Sequence, residues 1–253
     1  LRMLPWILAA RPKTLVAGLV PVLLGSAFAL QRSSFRLGIF LCALLGALAI
    51  QIGTNYVNDA SDFEKGADTA DRLGPPRMAA SGLLSPRSLY LGASLWFLVA
   101  FAFGTYLIAQ AGIAMLAIGL LSILFAVLYT AGPFPLAYLG LGDLFVLIFF
   151  GIVAVLGTVF AHMHSIESGA IFVALAAGFH AMSLIAVNNL RDISTDIRAG
   201  KKTLAVRLGD RGSRIYISAL YFLPFFCWMP VTKGMIGLAA FLPLLALPLA
   251  SAN

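Results

Sequence analysis

The sequence predicts an all-α protein: a multi-span transmembrane helical bundle around a central cavity, capped on its cytoplasmic side by polar loops. Two observations predict this. Mean hydropathy is +0.98, and 61% of the residues are hydrophobic against 11% charged, a balance outside the range of water-soluble domains. The few charges are also gathered, leaving charge-free runs at 14–31, 37–58, 88–142, 144–166, 168–190, 215–232 and 234–253. A span needs about 20 apolar residues. Lipid offers the backbone no partners, so runs of this length must be helices that bond their own amides.

The elements follow in order. Residues 1–13 carry Arg2, Arg11 and Lys13, with Trp6 placed to anchor the interface. The first span, at 14–31, follows these bases without a small-residue cleavage site, and reads as a permanent helix rather than a signal peptide. A short loop at Arg32–Arg36 returns the chain into a second span at 37–57, and the long polar segment 58–87 comes next. The run at 88–142 holds 55 residues, enough for two spans broken at Gln110-Ala111-Gly112. Gly132-Pro133-Phe134-Pro135 stops the second of them, because proline lacks the amide donor and fixes its backbone. Further spans are expected at 141–161 and 168–189, a second polar segment at 190–212, and two last spans at 215–232 and 234–253, making eight. Cys42 and Cys227 both fall inside spans, which excludes a disulfide framework and leaves them as small apolar packing.

The whole of 1–253 reads as one transmembrane domain with pseudo-repeat halves at about 1–130 and 131–253. Asn58-Asp59-x-x-Asp62 ends the second span and Arg191-Asp192-x-x-x-Asp196 ends the sixth, so two acidic helix ends would face one another across the cavity. Basic residues set the orientation. With the N-terminus inside, fourteen of the 17 Lys and Arg lie on the inner side, and only Arg32, Arg36 and Lys233 lie outside. Both acidic segments are then cytoplasmic. The net charge of +7 is explained by this orientation and by anionic ligands, and calls for no nucleic acid.

The two polar segments carry the chemistry. On a helix, residues three or four apart share a face. Asn55, Asn58, Asp59 and Asp62 have that spacing, as do Asn188, Asp192 and Asp196. Each helix end thus presents a stripe of hard oxygen donors, and acids at a membrane edge are functional more often than not. Carboxylate and amide oxygens without Cys or His suit Mg²⁺, which binds through one or two carboxylates plus phosphate oxygens. Lys65, Arg72, Arg77, Lys201 and Lys202 lie beside them, and bases of this kind recognise phosphate. Mg²⁺, bases and an apolar surround together describe the site of a lipid diphosphate. For Glu64 and Asp71 a solvated loop position is the plainer reading. His162 and His164 read as an interfacial pair, and His180 as a hydrogen-bonded core residue. Tyr129 and Asp143 stand at the inner end of the central spans, as interfacial anchors or substrate contacts.

These residues also carry a resemblance. The NDxxDxxxGxD run at Asn58–Asp68, the RxGPxR run at Arg72–Arg77 and the DxxxDxxxGKKTLAVRLG run at Asp192–Gly209 resemble the UbiA superfamily of intramembrane aromatic prenyltransferases. The N-terminal AARPKTL, the ASGLLSP after Met78 and Ala79, and YTAGPFPLAYLGLGD at Tyr129–Asp143 resemble its branch acting on 1,4-dihydroxy-2-naphthoate. Many members have an acid where this chain has Gly66; here Asp68 follows two residues later, which also fits that branch and argues against 4-hydroxybenzoate. The family usually has nine helices around the cavity, one more than the eight predicted.

The resemblance implies that Asp59 and Asp62 hold one Mg²⁺ and Asp192 and Asp196 another, with Asn55, Asn58 and Asn188 assisting. Lys65, Arg72, Arg77 and Lys201 would bind the diphosphate of a polyprenyl diphosphate. Ionisation would leave an allylic cation for the electron-rich ring, which loses its carboxyl as CO₂. Asp68 would act as an acceptor-side base or a third metal contact, and Tyr129 and Lys13 would lie on the acceptor side. The localisation implied is the bacterial inner membrane. The nearest alternatives change the acceptor to homogentisate, haem, a chlorophyll precursor or a glycerol phosphate ether. A cation-coupled secondary transporter is a further alternative. Transport sites sit near the bilayer midplane on broken helices, whereas these acids end uninterrupted spans with bases beside them.

Overall fold

The computed structural model describes residues 3–67 and 74–231. Among them the regular structure is helical, in nine helices. They are α1 (Leu4–Ala9), α2 (Pro12–Gln31), α3 (Leu37–Glu64), α4 (Pro86–Ala111), α5 (Ala114–Leu128), α6 (Gly142–Met163), α7 (Ser168–Arg191), α8 (Ile193–Arg198) and α9 (Leu204–Trp228). Five of these, α2, α3, α4, α6 and α7, are long and apolar enough to cross a membrane. The chain is an integral membrane protein. The expected span at 234–253 lies outside the described residues.

The spans start and stop for local reasons. Pro12 and Pro86 occupy first-turn positions of α2 and α4, where a missing amide is harmless. Ser85 caps α4 by accepting from the Ser88 N–H at 3.1 Å. The break expected at Gln110–Gly112 falls at Gly112, whose φ of 87° suits glycine. Two boundaries differ from expectation. α3 runs on to Glu64 instead of stopping near 57. At 1.5 Å per residue its 28 residues reach about 42 Å, beyond the roughly 30 Å of hydrocarbon, so its last two turns stand above the lipid. α9 begins at Leu204, and Gly209 breaks it with φ 69° and ψ −179° before the apolar part continues. The hydrophobic run locates the membrane crossing, and a helix does not have to end where that run ends.

α3 packs along α4, α7 packs between α6 and α9, and α2 lies against α3, α6 and α7. Helices already in lipid associate through close van der Waals packing of small residues. A Cβ at Gly151 of α6 would lie 2.7 Å from the Ala174 carbonyl oxygen and the Gly178 Cα of α7. One at Gly25 of α2 would lie 2.8 Å from Val155 O and Thr158 Cβ of α6. Between residues 147 and 156, α6 winds as a π-helix.

At the end of the bundle away from the acids, His162 is buried. It accepts from the Arg36 backbone N–H at 3.2 Å, faces Ser26 Oγ at 3.2 Å and stacks on Phe35. Arg36 donates to the carbonyls of Ala161 and His162, closing the C-terminal turns of α6. His162 is therefore packed with Arg36, while His164 is exposed. His180 is exposed on α7, not in the core as expected. Trp6 packs on Tyr56 with ring centroids 5.4 Å apart, inside the cluster of Ala9, Tyr56, Val57, Ala60, Met78 and Leu89 under the acidic end of α3. Cys42 and Cys227 are free thiols.

Candidate active site

Residues 55–62 of α3 are buried, although the helix end projects past the apolar run. Asn55, Asn58, Asp59 and Asp62 are 3%, 9%, 1% and 2% exposed. Buried acids of this kind persist only when their oxygens are satisfied. Their partners give the four residues different tasks. Asn55 donates to the Ala10 carbonyl at 2.8 Å and to Thr14 Oγ1 at 3.1 Å, tying the α1–α2 junction to α3. Asn58 Oδ1 accepts from the Thr130 hydroxyl. The two oxygens of Asp59 accept from the backbone N–H groups of Met78 and Ala79, at 3.0 and 3.1 Å. Asp62 instead meets side chains from three distant segments: Arg77 Nη2 at 3.1 Å, Lys201 Nζ at 3.3 Å and the Tyr138 hydroxyl at 2.9 Å.

The contact between Asp62 and Lys201 joins the two polar stretches directly. The second stripe is nearly continuous as well. α7 ends at Arg191 and α8 starts at Ile193, yet Asp192 N–H between them still reaches Asn188 O at 3.1 Å and Asp196 N–H reaches Asp192 O at 2.8 Å. The i→i−4 bonding carries one face through the break. Asp192 takes a bidentate pair from Arg191 at 2.7 Å, and Asp196 is buried.

Bases surround these acids. Lys65 donates to the Thr130 carbonyl, which Ser61 Oγ also reaches at 2.8 Å. Burial is the first cause that holds the Lys65 ammonium below its ordinary pKa; Asp62 opposes this, and the like charge of Lys201 adds to it. Tyr129 is pushed above the usual phenol value, by burial first and then by the charges of Asp143, Asp62 and Asp196. It thus stands within electrostatic reach of acids from both halves of the chain. A side chain at Gly142 would meet its hydroxyl at 2.9 Å, so a glycine there leaves it room. Asp143 is buried and accepts from the Tyr216 hydroxyl at 3.3 Å.

Among the described residues, no three carboxylate, His or Cys side chains converge closely enough to hold a metal ion on their own. What does converge is a set of hard oxygens with three cations, and that set fits an ion sharing its coordination with a phosphate ligand. The expected residues divide accordingly. Asp62, Arg77 and Lys201 meet, with Lys65 and Asn58 held beside them through Thr130. Asn55 bonds to Ala10 and Thr14, and Asp59 to Met78 and Ala79. Lys13 is exposed on the first turn of α2. Asp68 and Arg72 lie outside the described residues. Sequence spacing missed Thr130 and Tyr138. Their only signal was membership of the polar turn between two spans, beside the Gly-Pro-Phe-Pro breaker.

Comparison with known proteins identifies relatives of the whole chain. The profile of the UbiA prenyltransferase family matches residues 18–252. The 1,4-dihydroxy-2-naphthoate octaprenyltransferase of Haemophilus influenzae is 37% identical over 253 residues, covering 96% of this chain and 82% of that protein. The enzyme of the same name from Mycobacterium tuberculosis is 40% identical over 215 residues, covering 85% and 73%. Among solved structures, a UbiA homolog from Archaeoglobus fulgidus bound to GPP and Mg²⁺ shares the fold, with a TM-score of 0.70 over 93% of this chain and 81% of that one at 16% identity. With its profile match spanning nearly the whole chain and relatives of this identity, the protein belongs to the UbiA prenyltransferase family.

Proposed function

We propose that this protein is a Mg²⁺-dependent prenyltransferase that moves a polyprenyl group from its diphosphate to 1,4-dihydroxy-2-naphthoate. Diphosphate and CO₂ would be released, giving the demethylmenaquinol of menaquinone synthesis. The observation that carries this reading is the meeting of Asp62 with Arg77 and Lys201 at the polar end of an apolar bundle. A buried acid ringed by cations is suited to an anionic ligand with a greasy tail. The naphthoate acceptor is supported by the relatives from H. influenzae and M. tuberculosis.

Asp62 on one side, and Asp192 and Asp196 on the other, are the carboxylates proposed to hold two ions, with Asn58 and Asn188 assisting. When bound, Mg²⁺ neutralises the charge that grows on the departing diphosphate. Lys65, Lys201, Arg77 and Arg72 bind the same oxygens and supply donors aimed at that charge. As the C–O bond to the diphosphate breaks, the allylic cation is taken by the acceptor ring, and the apolar helices exclude water from it. Tyr129, Lys13 and Asp68 are assigned to the acceptor side. Asp59 is assigned to holding the 77–79 turn and not to an ion, because its donors are backbone amides fixed by the fold, whereas the Arg77 and Lys201 side chains on Asp62 can move to a ligand. The site is proposed to face the cytoplasm from a bacterial inner membrane, in keeping with the basic bias of that side.

The test is product formation by the purified protein in detergent with Mg²⁺, a polyprenyl diphosphate and the naphthoate, alongside EDTA and an Asp62→Asn/Asp192→Asn variant. A prenylated, decarboxylated naphthoquinol that disappears in both controls is expected. Turnover only with another aromatic acceptor would overturn the naphthoate assignment. No metal-dependent release of diphosphate with any acceptor would overturn the enzyme.

A further inference from the structure

Tyr138 makes contacts that neither the motifs nor the proposed mechanism use. It lies in the turn between α5 and α6, where its N–H bonds to the Pro135 carbonyl at 3.0 Å. Its hydroxyl donates to Asp62 Oδ1 at 2.9 Å. The ammonium groups of Lys65 and Lys201 both stand over its ring, at 5.0 and 4.7 Å from the centroid. Its carbonyl accepts from the Lys202 N–H at 2.9 Å, which fastens the turn to the loop carrying Lys201. Two residues on, Gly140 has φ 77°, and any side chain there would run into Lys202 O and the Arg207 guanidinium. Arg207 in turn donates to Leu139 O at 2.8 Å and Lys202 O at 3.1 Å. The ring is thus rigidly mounted where α3, the α5–α6 turn and the α8–α9 loop come together.

Two ammonium groups beside one another repel, and a long lysine side chain ordinarily spreads over many rotamers. One aromatic face can attract both, because its negative quadrupole acts on any cation within about 6 Å. We propose that Tyr138 is a positioning residue, which holds Lys65 and Lys201 together beside Asp62 so that a prenyl diphosphate finds the two cations already paired. This deepens the function proposed above and rests on it. Each ammonium has three donors, so it can donate to a phosphate oxygen while it stays over the ring. The gain is in pre-organisation for binding; the ring itself takes no part in bond breaking.

The experiment compares Tyr138→Phe, which keeps the ring and loses the hydroxyl, with Tyr138→Leu, which loses both. Steady-state kinetics against prenyl diphosphate and calorimetric binding of inorganic diphosphate with Mg²⁺ are measured for each. The Leu variant is expected to raise KM and weaken diphosphate binding by about 5- to 30-fold, as two surface cation–π contacts would predict, with kcat within about threefold. The Phe variant, which fits the same space, is expected to stay within about threefold of wild type in both. If Tyr138→Leu binds diphosphate like wild type, or if Tyr138→Phe loses more than tenfold, the ring is not what holds the lysines. A fall in kcat at unchanged KM in both variants would also overturn the proposal, since it would place Tyr138 in the chemistry. An inactive wild type that still binds diphosphate in this Phe and Leu order would count against the reaction and in favour of the ring's role.

Discussion

Replacing Asp59 by asparagine separates an anchoring acid from a metal-binding one. Asp59 is 1% exposed, and its two oxygens accept from consecutive backbone donors at Met78 and Ala79. Asparagine leaves one oxygen for one of these donors and turns an NH₂ group toward the other. One buried N–H is then orphaned, at about 1–3 kcal/mol, and the surviving bond loses its charge assistance. The expected loss is about 2–3 kcal/mol. For a chain of this size that lowers Tm by about 4–12 °C, taking roughly 2–4 °C per kcal/mol. The free thiols offer an assay: Cys227 is buried, so a thiol-reactive dye reports unfolding of the detergent-solubilised protein. Asp59→Ala, which orphans both donors, should lie lower still. In both variants the Mg²⁺ concentration giving half-maximal turnover should remain within about twofold of wild type. If Asp59→Asn unfolds at the wild-type temperature while its Mg²⁺ requirement rises tenfold or more, a range typical of damage to a metal site, the carboxylate is a ligand and the anchoring argument is wrong.

Three further outcomes are expected. Asp62→Asn strips the shared acid from Arg77 and Lys201; it should raise the Mg²⁺ requirement by at least about tenfold and destabilise by about 3 kcal/mol, as loss of one partner from a buried pair does, and a wild-type Mg²⁺ curve would remove Asp62 from the metal site. Lys65, its pKa lowered chiefly by burial, should lose its proton at lower pH than an ordinary lysine. KM for prenyl diphosphate should therefore climb on the alkaline side, and Lys65→Arg should flatten that limb. The sign for stability is opposite: between the lowered folded pKa and the ordinary one, the unfolded chain binds more protons, so folding strengthens as pH rises through that window. Alkaline loss of activity that coincides with unfolding would contradict this. Gly151→Val should drive a side chain into the backbone of Ala174 and Gly178 and destabilise by about 1–3 kcal/mol or more, as an overpacked contact does, lowering the unfolding temperature. Gly157→Ala, which meets only Ile118 side-chain atoms at 3.6 and 3.8 Å, should leave that temperature unchanged.

The sequence by itself determined the membrane architecture, because lipid imposes two demands that composition answers directly: apolar runs of sufficient length, and backbone bonding within each run. The same reading located both polar stretches, since a stripe of Asn and Asp at helical spacing shows in a single strand of text. It also showed which kind of ligand such stripes suit. Only the tertiary structure decided what each acid touches. Asp59 and Asp62 are three residues apart on one face of α3, and spacing makes them equivalent. They differ because the chain returns Met78 and Ala79 to one of them and Arg77, Tyr138 and Lys201 to the other. Asn55 likewise matches the stripe but bonds to Ala10 and Thr14, 45 and 41 residues earlier. Thr130 and Tyr138 sit in a turn whose sequence announced only that a span had ended. Local spacing fixes which side chains share a face, and the identity of their partners depends on segments dozens of residues away that only packing brings together.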